Sequence, residues 1–342
     1  MRSRELITFV NDALTRLSRP AAMILAGVLS IAPACSDEAK KASIHIGVIS
    51  FAEPQLRTDL DQALIRGLRA QGYVEGANLT IEWRYADGDR IRVPQLARDL
   101  AGMKLDGVVT TCTPTTRAMA TVAPGMPIIM AGVSDPIGQG LITSYRHPGG
   151  TITGTATQFE DMAAKLLQLL HETVPNATSI AVLFNPNNSV HKVFLRDIEN
   201  AAGLLDLKLG KFSIGKLDDI DGAFGEMRSS GADAVLVLPD DSFLFNLRRR
   251  IIENLDAAKL PSMFGLREAV DDGGLMSYGE SLSRSHFRAA YFVANIASGT
   301  SPADLPVEQP TKFELVINLK TAKSLGLSVP PSLLVAADEL IE

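Results

Sequence analysis

Hydroxyl, amide and carboxyl side chains recur where the apolar stretches of this sequence end. In a parallel sheet, ligands bind beyond the carboxyl ends of the strands, where helix N-termini present free N–H groups. Such side chains can hold a small polar molecule without attacking it. The predicted ligand-binding residues are Ser50, Phe51, Thr113, Pro114, Thr115, Ser134, Asp135, Asn185, Asp240 and Tyr278.

Each group has an expected role. Ser50, Thr113 and Thr115 are expected to bind the ligand, with an anionic group on the N–H groups of the helix that starts near Pro114. Either Asp135 or Asp240 takes an amine, and Phe51 and Tyr278 form the walls. Asn185 and Asp240 belong to a second lobe and close on the ligand. The alternative is that the polar residues only cap helices and turns.

Catalytic and metal-binding patterns are absent from the sequence. It contains no G-x-S-x-G elbow, H-E-x-x-H, Walker loop or G-x-G-x-x-G after a strand. The five histidines are scattered, and the two cysteines, Cys35 and Cys112, lack metal-type spacing. Arg248-Arg249-Arg250 is either a solvated helix face or a docking surface for a partner. We therefore expect a protein that is not an enzyme and has no metal or cofactor.

Apolar strands alternate with helices throughout the chain, which predicts parallel sheets covered on both faces. The pattern restarts after Gly149-Gly150, which indicates two similar doubly wound α/β lobes. We assign residues 43–153 and 275–308 to lobe 1, and 154–274 and 309–342 to lobe 2. The three crossings between them form a hinge beside a cleft.

The first 34 residues are typical of a secretory signal peptide. Four arginines precede a short apolar run, and Ala32-Pro33-Ala34 is an A-x-A cleavage site. Cys35 follows at once, so either a free or a lipid-anchored N-terminus is possible. The leader is similar to a twin-arginine signal interrupted by Ser3. We expect a periplasmic protein.

The charge and composition of the chain argue against nucleic acid and membrane as partners. The chain has a net charge of −6, and 46% of its residues are hydrophobic. Since the leader carries +2, the remainder is near −8 and offers no basic stripe for a phosphate backbone. We expect no nucleic-acid partner and no membrane span beyond the leader. A monomer is expected.

Several segments resemble the ABC-transporter substrate-binding proteins of the TrpX-like type, across nearly all of the mature chain. The most distinctive is EQPTKFELVINLKTAK at 308–323; others are at 67–78, 132–141, 146–150 and 273–279. The resemblance implies a type I periplasmic-binding-protein fold, a closing cleft and delivery of a ligand, such as an aromatic or other amino acid, to an inner-membrane ABC permease. It does not fix the ligand, because relatives differ in substrate.

Two other functions fit the same architecture. A ligand-sensing receptor would use the cleft to signal through a membrane partner. An amino-acid racemase would use Cys112, but that chemistry needs a second, opposed cysteine, and Cys35 is in the wrong place.

Overall fold

The computed structural model describes residues 41–159 and 162–342. The leader and Cys35 lie outside these residues. The first sheet is parallel throughout and has the strand order β2-β1-β3-β4-β5. Its strands are β1 (Ile44–Ser50), β2 (Leu79–Tyr85), β3 (Gly107–Thr110), β4 (Ile128–Ser134) and β5 (Ile152–Thr157).

Four helices belong to the first lobe, and their apolar faces cover its sheet. In α1, Leu60, Leu64 and Leu68 recur every four residues and are all buried, which is the spacing of one helix face. The helices are α1 (Thr58–Ala70), α2 (Val93–Ala101), α3 (Thr113–Val122) and α9 (Leu282–Ala297).

The second sheet has seven strands in the order β12-β11-β10-β9-β8-β6-β7. Only β10 and β11 pair antiparallel, so this sheet is mixed rather than purely parallel. Its strands are β6 (Ser179–Phe184), β7 (Lys208–Ser213), β8 (Ala234–Val237), β9 (Ser262–Phe264), β10 (Met276–Gly279), β11 (Glu314–Asn318) and β12 (Glu339–Ile341).

Helices flank this second sheet as well. They are α4 (Ala163–Thr173), α5 (Val190–Leu204), α6 (Asp219–Ser229), α7 (Phe243–Ala257), α8 (Arg267–Asp271), α10 (Leu319–Ser324) and α11 (Pro331–Ala336). Buried side chains from these helices and from the sheet form a continuous core that includes Leu166, Phe194 and Ile317. The two-lobed α/β fold predicted from the sequence is confirmed.

Two of the predicted lobe boundaries are wrong. β5 pairs with β4 over residues 152–157, so the first lobe does not end at residue 153. β10 pairs with β9 and β11, so the strand predicted to return to the first lobe belongs to the second sheet. The chain returns to the first lobe only with α9, which packs on α1 and the first sheet. It then passes along β5, where Glu308 pairs with Thr155, before entering β11.

Helices α1 and α9 pack closely because a glycine lies where they cross. A Cβ atom at Gly67 would collide with the carbonyl oxygen of Phe287 and lie 2.9 Å from the Cβ atom of Ala290. The backbones can therefore approach only while residue 67 has no side chain. None of the helices in the described residues is long and apolar enough to cross a bilayer.

We predict that Gly67→Ala lowers the free energy of unfolding by about 1–3 kcal/mol, because the new methyl group overpacks the α1–α9 crossing. Urea denaturation measures this change. Gly222→Ala is the matched control, because a methyl group on this exposed residue of α6 would have no other group within 4 Å. There the substitution should stabilise the helix by about 0.5–1 kcal/mol. Equal effects at the two sites would contradict the packing argument.

Candidate functional site

A cavity of about 220 Å³ lies between the two lobes, at the carboxyl ends of the strands. Its walls carry amide, hydroxyl and charged groups, and Pro114 is the one non-polar residue among the described residues that line it. The first lobe contributes Arg90, Thr113, Pro114, Arg117 and Gln139. The second lobe contributes Asn185, Asn187, Asn188, Ser189, Asp241 and Ser242.

Asp241 of the second lobe reaches across to the first lobe. Its Oδ2 atom accepts hydrogen bonds from the backbone N–H groups of Thr113, at 3.1 Å, and Ser134, at 3.2 Å. The hydroxyl of Thr113 lies 3.0 Å from the same oxygen. Because Thr113 is the first residue of α3, the carboxylate also lies at the positive end of that helix. The start of α3, where an anionic group of the ligand was expected, is occupied in this structure by the carboxylate of Asp241.

The second carboxylate oxygen of Asp241, Oδ1, has no hydrogen-bond partner among the described residues. The residue itself lines the cavity wall. Burial of the carboxyl group and the nearby charge of Asp240 raise its pKa to about 6. The hydrogen bonds from Thr113 and Ser134 act in the opposite direction. A cationic group at Oδ1 would offset the unfavourable burial of this charge.

Asp240, predicted to contact the ligand, has a structural role instead. Its Oδ1 atom accepts the N–H groups of Ser242 and Phe243, both at 2.8 Å, and so caps the start of α7. Its Oδ2 atom accepts from the side chains of Asn185 and Asn188. Burial opposes ionisation of Asp240, but His191 and these hydrogen bonds outweigh it and hold its pKa below the ordinary value. Both oxygens of Asp240 are thus bonded within the second lobe, and Asp240 is not among the residues that line the cavity.

The remaining predicted residues of the first lobe divide between the cavity and the core. Thr113 and Pro114 line the cavity. Thr115 is fully buried and donates to the Cys112 carbonyl at 3.0 Å, so it points into its own helix turn. The Ser50 hydroxyl accepts the N–H of Ala52 at 3.1 Å. Phe51 is 1% exposed and belongs to an apolar cluster rather than to the cavity wall.

Three further predicted residues also differ from expectation. Ser134 meets Asp241 through its backbone N–H, while its hydroxyl accepts from Thr157 at 3.1 Å. Asp135 accepts the N–H of Gly138 at 2.8 Å and so closes a turn. Tyr278 lies on β10 and stacks on Phe313, with 5.9 Å between ring centroids, and it does not line the cavity.

In the second lobe, Asn185 does line the cavity. Its Nδ2 group donates to Asp240 at 2.8 Å, and its Oδ1 atom accepts the N–H of Asn187 at 3.0 Å. These bonds hold the loop before α5 against the loop before α7. Asn185 thus positions the second-lobe wall as well as forming part of it.

Sequence reasoning missed Asp241, Arg90 and Arg117. Asp241 follows Asp240 directly, and the sequence gives no sign of which carboxylate caps the helix and which reaches outward. Arg90 lies in the connection between β2 and α2, and Arg117 lies in the second turn of α3. The spacing of Thr113 and Arg117, four residues apart, places both on one face of a helix and was a usable signal.

The lobes also touch directly at other points, both on the cavity wall and away from it. The side chain of Gln139 donates to the Ser189 hydroxyl at 2.8 Å, and the N–H of Glu53 donates to Asn246 at 3.1 Å. Apolar side chains from both lobes, including Phe51 and Phe243, share one cluster. The cleft between the two lobes is therefore closed in this structure.

The environment of Arg248 differs from the expected solvated helix face. It is 6% exposed and donates to the Leu56 carbonyl of the first lobe at 2.9 Å, so it is not part of a solvated helix face. Its Nε atom lies 2.8 Å from Asp272, and its guanidinium stacks on Phe245. Arg249 and Arg250, by contrast, are exposed.

Two larger depressions lie away from this cavity. One of about 360 Å³ follows the hinge, where Arg288 forms two hydrogen bonds with Glu308. Another of about 560 Å³ lies beside the end of α7, around Lys259 and Lys320. The depression along the hinge includes the end of β5 and residues that follow β10. The interlobe cavity is lined by the segments that begin α3, α5 and α7, where helix N-termini present backbone N–H groups, so it is the candidate ligand site.

The position of Cys112 does not suit catalysis. It is fully buried, and burial together with the charge of Asp241 raises its pKa to about 12. The residue is therefore a protonated thiol near neutral pH, whereas an acid–base or nucleophilic cysteine needs accessible thiolate. Within the described residues it is the one free cysteine.

Comparison with known proteins gives three informative relatives. A curated tyrosine-binding protein from Clostridioides difficile (strain R20291) is 24% identical over 319 residues, which cover 89% of this chain and 91% of that protein. A crystal structure of a conserved domain protein from Vibrio cholerae is 27% identical, with a TM-score of 0.80, and the match covers 87% of this chain and 99% of that one. The ABC domain in complex with L-Trp from Streptococcus pneumonia is 25% identical, with a TM-score of 0.80, and the match covers 88% of this chain and 100% of that one.

Residues 45–341 match the family described as ABC transporter substrate binding protein, which spans both lobes and all three crossings between them. Two of these relatives are a tyrosine-binding protein and a protein in complex with L-Trp, in agreement with the expectation of a binding protein. The chain therefore belongs to the ABC transporter substrate-binding proteins, extracytoplasmic proteins that bind small molecules and interact with ABC permeases.

Proposed function

We propose that this substrate-binding protein captures an α-amino acid in the cavity between its lobes and delivers it to its permease. The observation that carries the proposal is Asp241, a half-buried carboxylate on the cavity wall whose Oδ1 atom accepts no hydrogen bond from the described residues. An ammonium group is its natural complement, since a buried charge needs an opposite charge. The tyrosine-binding relative and the relative in complex with L-Trp support this ligand class.

Closure of the cleft would couple to binding through the same carboxylate. Asp241 bonds to Thr113 and Ser134 only when the lobes meet, and the ligand ammonium would then offset the cost of burying the charge. A ligand shifts a hinge equilibrium by the difference between its affinities for the open and closed states. An amine that binds Asp241 within the closed cavity has such a difference.

Residues 1–34 would direct export as a signal peptide, and Cys35 would supply a lipid anchor if it is the first mature residue. A single copy of the chain forms both walls of the cavity, so a monomer is sufficient for capture. These assignments complete the proposal. They rest on the sequence pattern and on the position of the cavity.

We predict that Asp241→Asn lowers the affinity for the bound amino acid by about 10- to 150-fold, because hydrogen bonds to charged groups contribute about 1.5–3 kcal/mol. Isothermal titration calorimetry measures the change. Asp135→Asn is the control, since that carboxylate caps a turn that an asparagine oxygen can also cap. If Asp241→Asn binds as tightly as the parent protein, the amine does not bind there.

We also predict that affinity rises with pH. The pKa of Asp241 is raised to about 6, so the carboxylate is protonated below this pH and cannot pair with an ammonium group. Affinity should fall by up to about tenfold for each pH unit below 6 and level off above 7. In the ligand-free protein, the stability that this raised pKa contributes is present at pH 4 and is lost as pH rises through 6.

Calorimetry between pH 4.5 and 8, in buffers of different ionisation enthalpy, detects the proton released on binding at low pH. Glu268→Gln is the control, because burial raises the pKa of Glu268 to about 7 but this residue lies outside the cavity. Its variant should keep the same binding profile. An affinity that does not change between pH 5 and 7 would exclude Asp241 as the amine partner.

A further inference from the structure

Two arginines line the cavity together with Asp241. Arg117 lies on α3, where its Nη2 group donates to the Gln139 side chain at 2.6 Å and to the Gln139 carbonyl at 3.2 Å. Arg90 lies above the ring of Phe243, at the start of α7, with 5.9 Å between the guanidinium carbon and the ring centroid. Each guanidinium is thus placed at the cavity wall by a contact with a neighbouring side chain.

Neither arginine is neutralised by the part of the protein that the structure describes. Among these residues, no carboxylate forms an ion pair with Arg90 or Arg117, although many other arginines of the chain have one, as Arg288 does with Glu308. The bonding partners of Arg117 are uncharged amide groups. The charge of both arginines is therefore available to a ligand.

The charges lining the cavity do not match those of a neutral amino acid. The wall carries two cations, Arg90 and Arg117, and one anion, Asp241, among its described residues. A neutral amino acid has one ammonium and one carboxylate, so it would leave one of the two arginines, which are both exposed to solvent at the cavity wall, without a carboxylate partner. A ligand with one cation and two anions satisfies all three groups.

The chemistry of the wall also disfavours an aromatic side chain. Over residues 41–159 and 162–342, no aromatic residue lines the cavity, and Pro114 is its one non-polar residue. Pockets for apolar ligands are lined mainly by apolar and aromatic groups. Phe51 and Tyr278, which would have supplied such a wall, are packed elsewhere.

We propose that the ligand is an acidic α-amino acid of the aspartate or glutamate class, with its two carboxylates bound by Arg90 and Arg117. This inference rests on the proposed function and adds the chemical class of the ligand side chain. Arginine suits the role, because its planar fork can bind a carboxylate through two parallel hydrogen bonds.

The test compares ligands of nearly the same shape that differ in charge. Calorimetry of the purified protein, freed of bound ligand by unfolding and refolding, is performed with L-glutamate, L-glutamine, L-aspartate and L-tyrosine. We expect the parent protein to bind one of the two acidic amino acids at least tenfold more tightly than L-glutamine or L-tyrosine. Arg90→Gln and Arg117→Gln should each weaken binding of that acidic amino acid by tenfold or more.

The control is Arg66→Gln, which removes an exposed arginine of α1 outside the cavity and should leave the preference intact. Far-ultraviolet circular dichroism establishes that each variant is folded. If L-tyrosine or L-glutamine binds as tightly as the acidic amino acids, and Asp241→Asn abolishes that binding, the inference is overturned while the proposed function stands. If no amino acid binds the folded parent protein, both are overturned.

Discussion

The candidate site depends on the hydrogen bonds that Asp241 of the second lobe accepts from the first lobe. One carboxylate oxygen accepts the N–H groups of Thr113 and Ser134, which begin α3 and end β4 respectively. The other oxygen accepts no hydrogen bond from the described residues, and Asp241 lines the cavity. One side chain thus contacts both lobes and the cavity, so under the proposed function closure and capture would be parts of one equilibrium.

The two neighbouring aspartates have opposite environments, and this difference assigns their roles. Asp240 is surrounded by donors from Asn185, Ser242 and Phe243, which favour its ionised form despite burial. Asp241 shares one oxygen among the donors of the first lobe, and burial and the charge of Asp240 raise its pKa. The first is a structural cap, whereas the second still lacks a partner for one oxygen among the described residues. A ligand cation can supply that partner.

The similarity to known binding proteins establishes the fold of this chain but does not identify its ligand. The family match spans both lobes, and the relatives include a tyrosine-binding protein and one in complex with L-Trp. The cavity of this chain is lined by polar and charged groups, however, and two arginines without a carboxylate partner in the described chain lie on its wall with Asp241. A shared fold can thus hold pockets of different chemistry, since the strand ends and loops carry the site.

The sequence by itself determined the two-lobed α/β fold, because alternating apolar strands and amphipathic helices are local patterns. It also located the strand ends where Thr113, Pro114 and Asn185 line the cavity. Tertiary structure alone decided that β10 joins the second sheet, since strand pairing is a long-range choice. It likewise decided that Asp241 and not Asp240 faces the cavity, and that Arg90 and Arg117 lie beside it. These roles depend on how the lobes meet, which local spacing does not encode; the spacing of Thr113 and Arg117 shows only that they share a helix face.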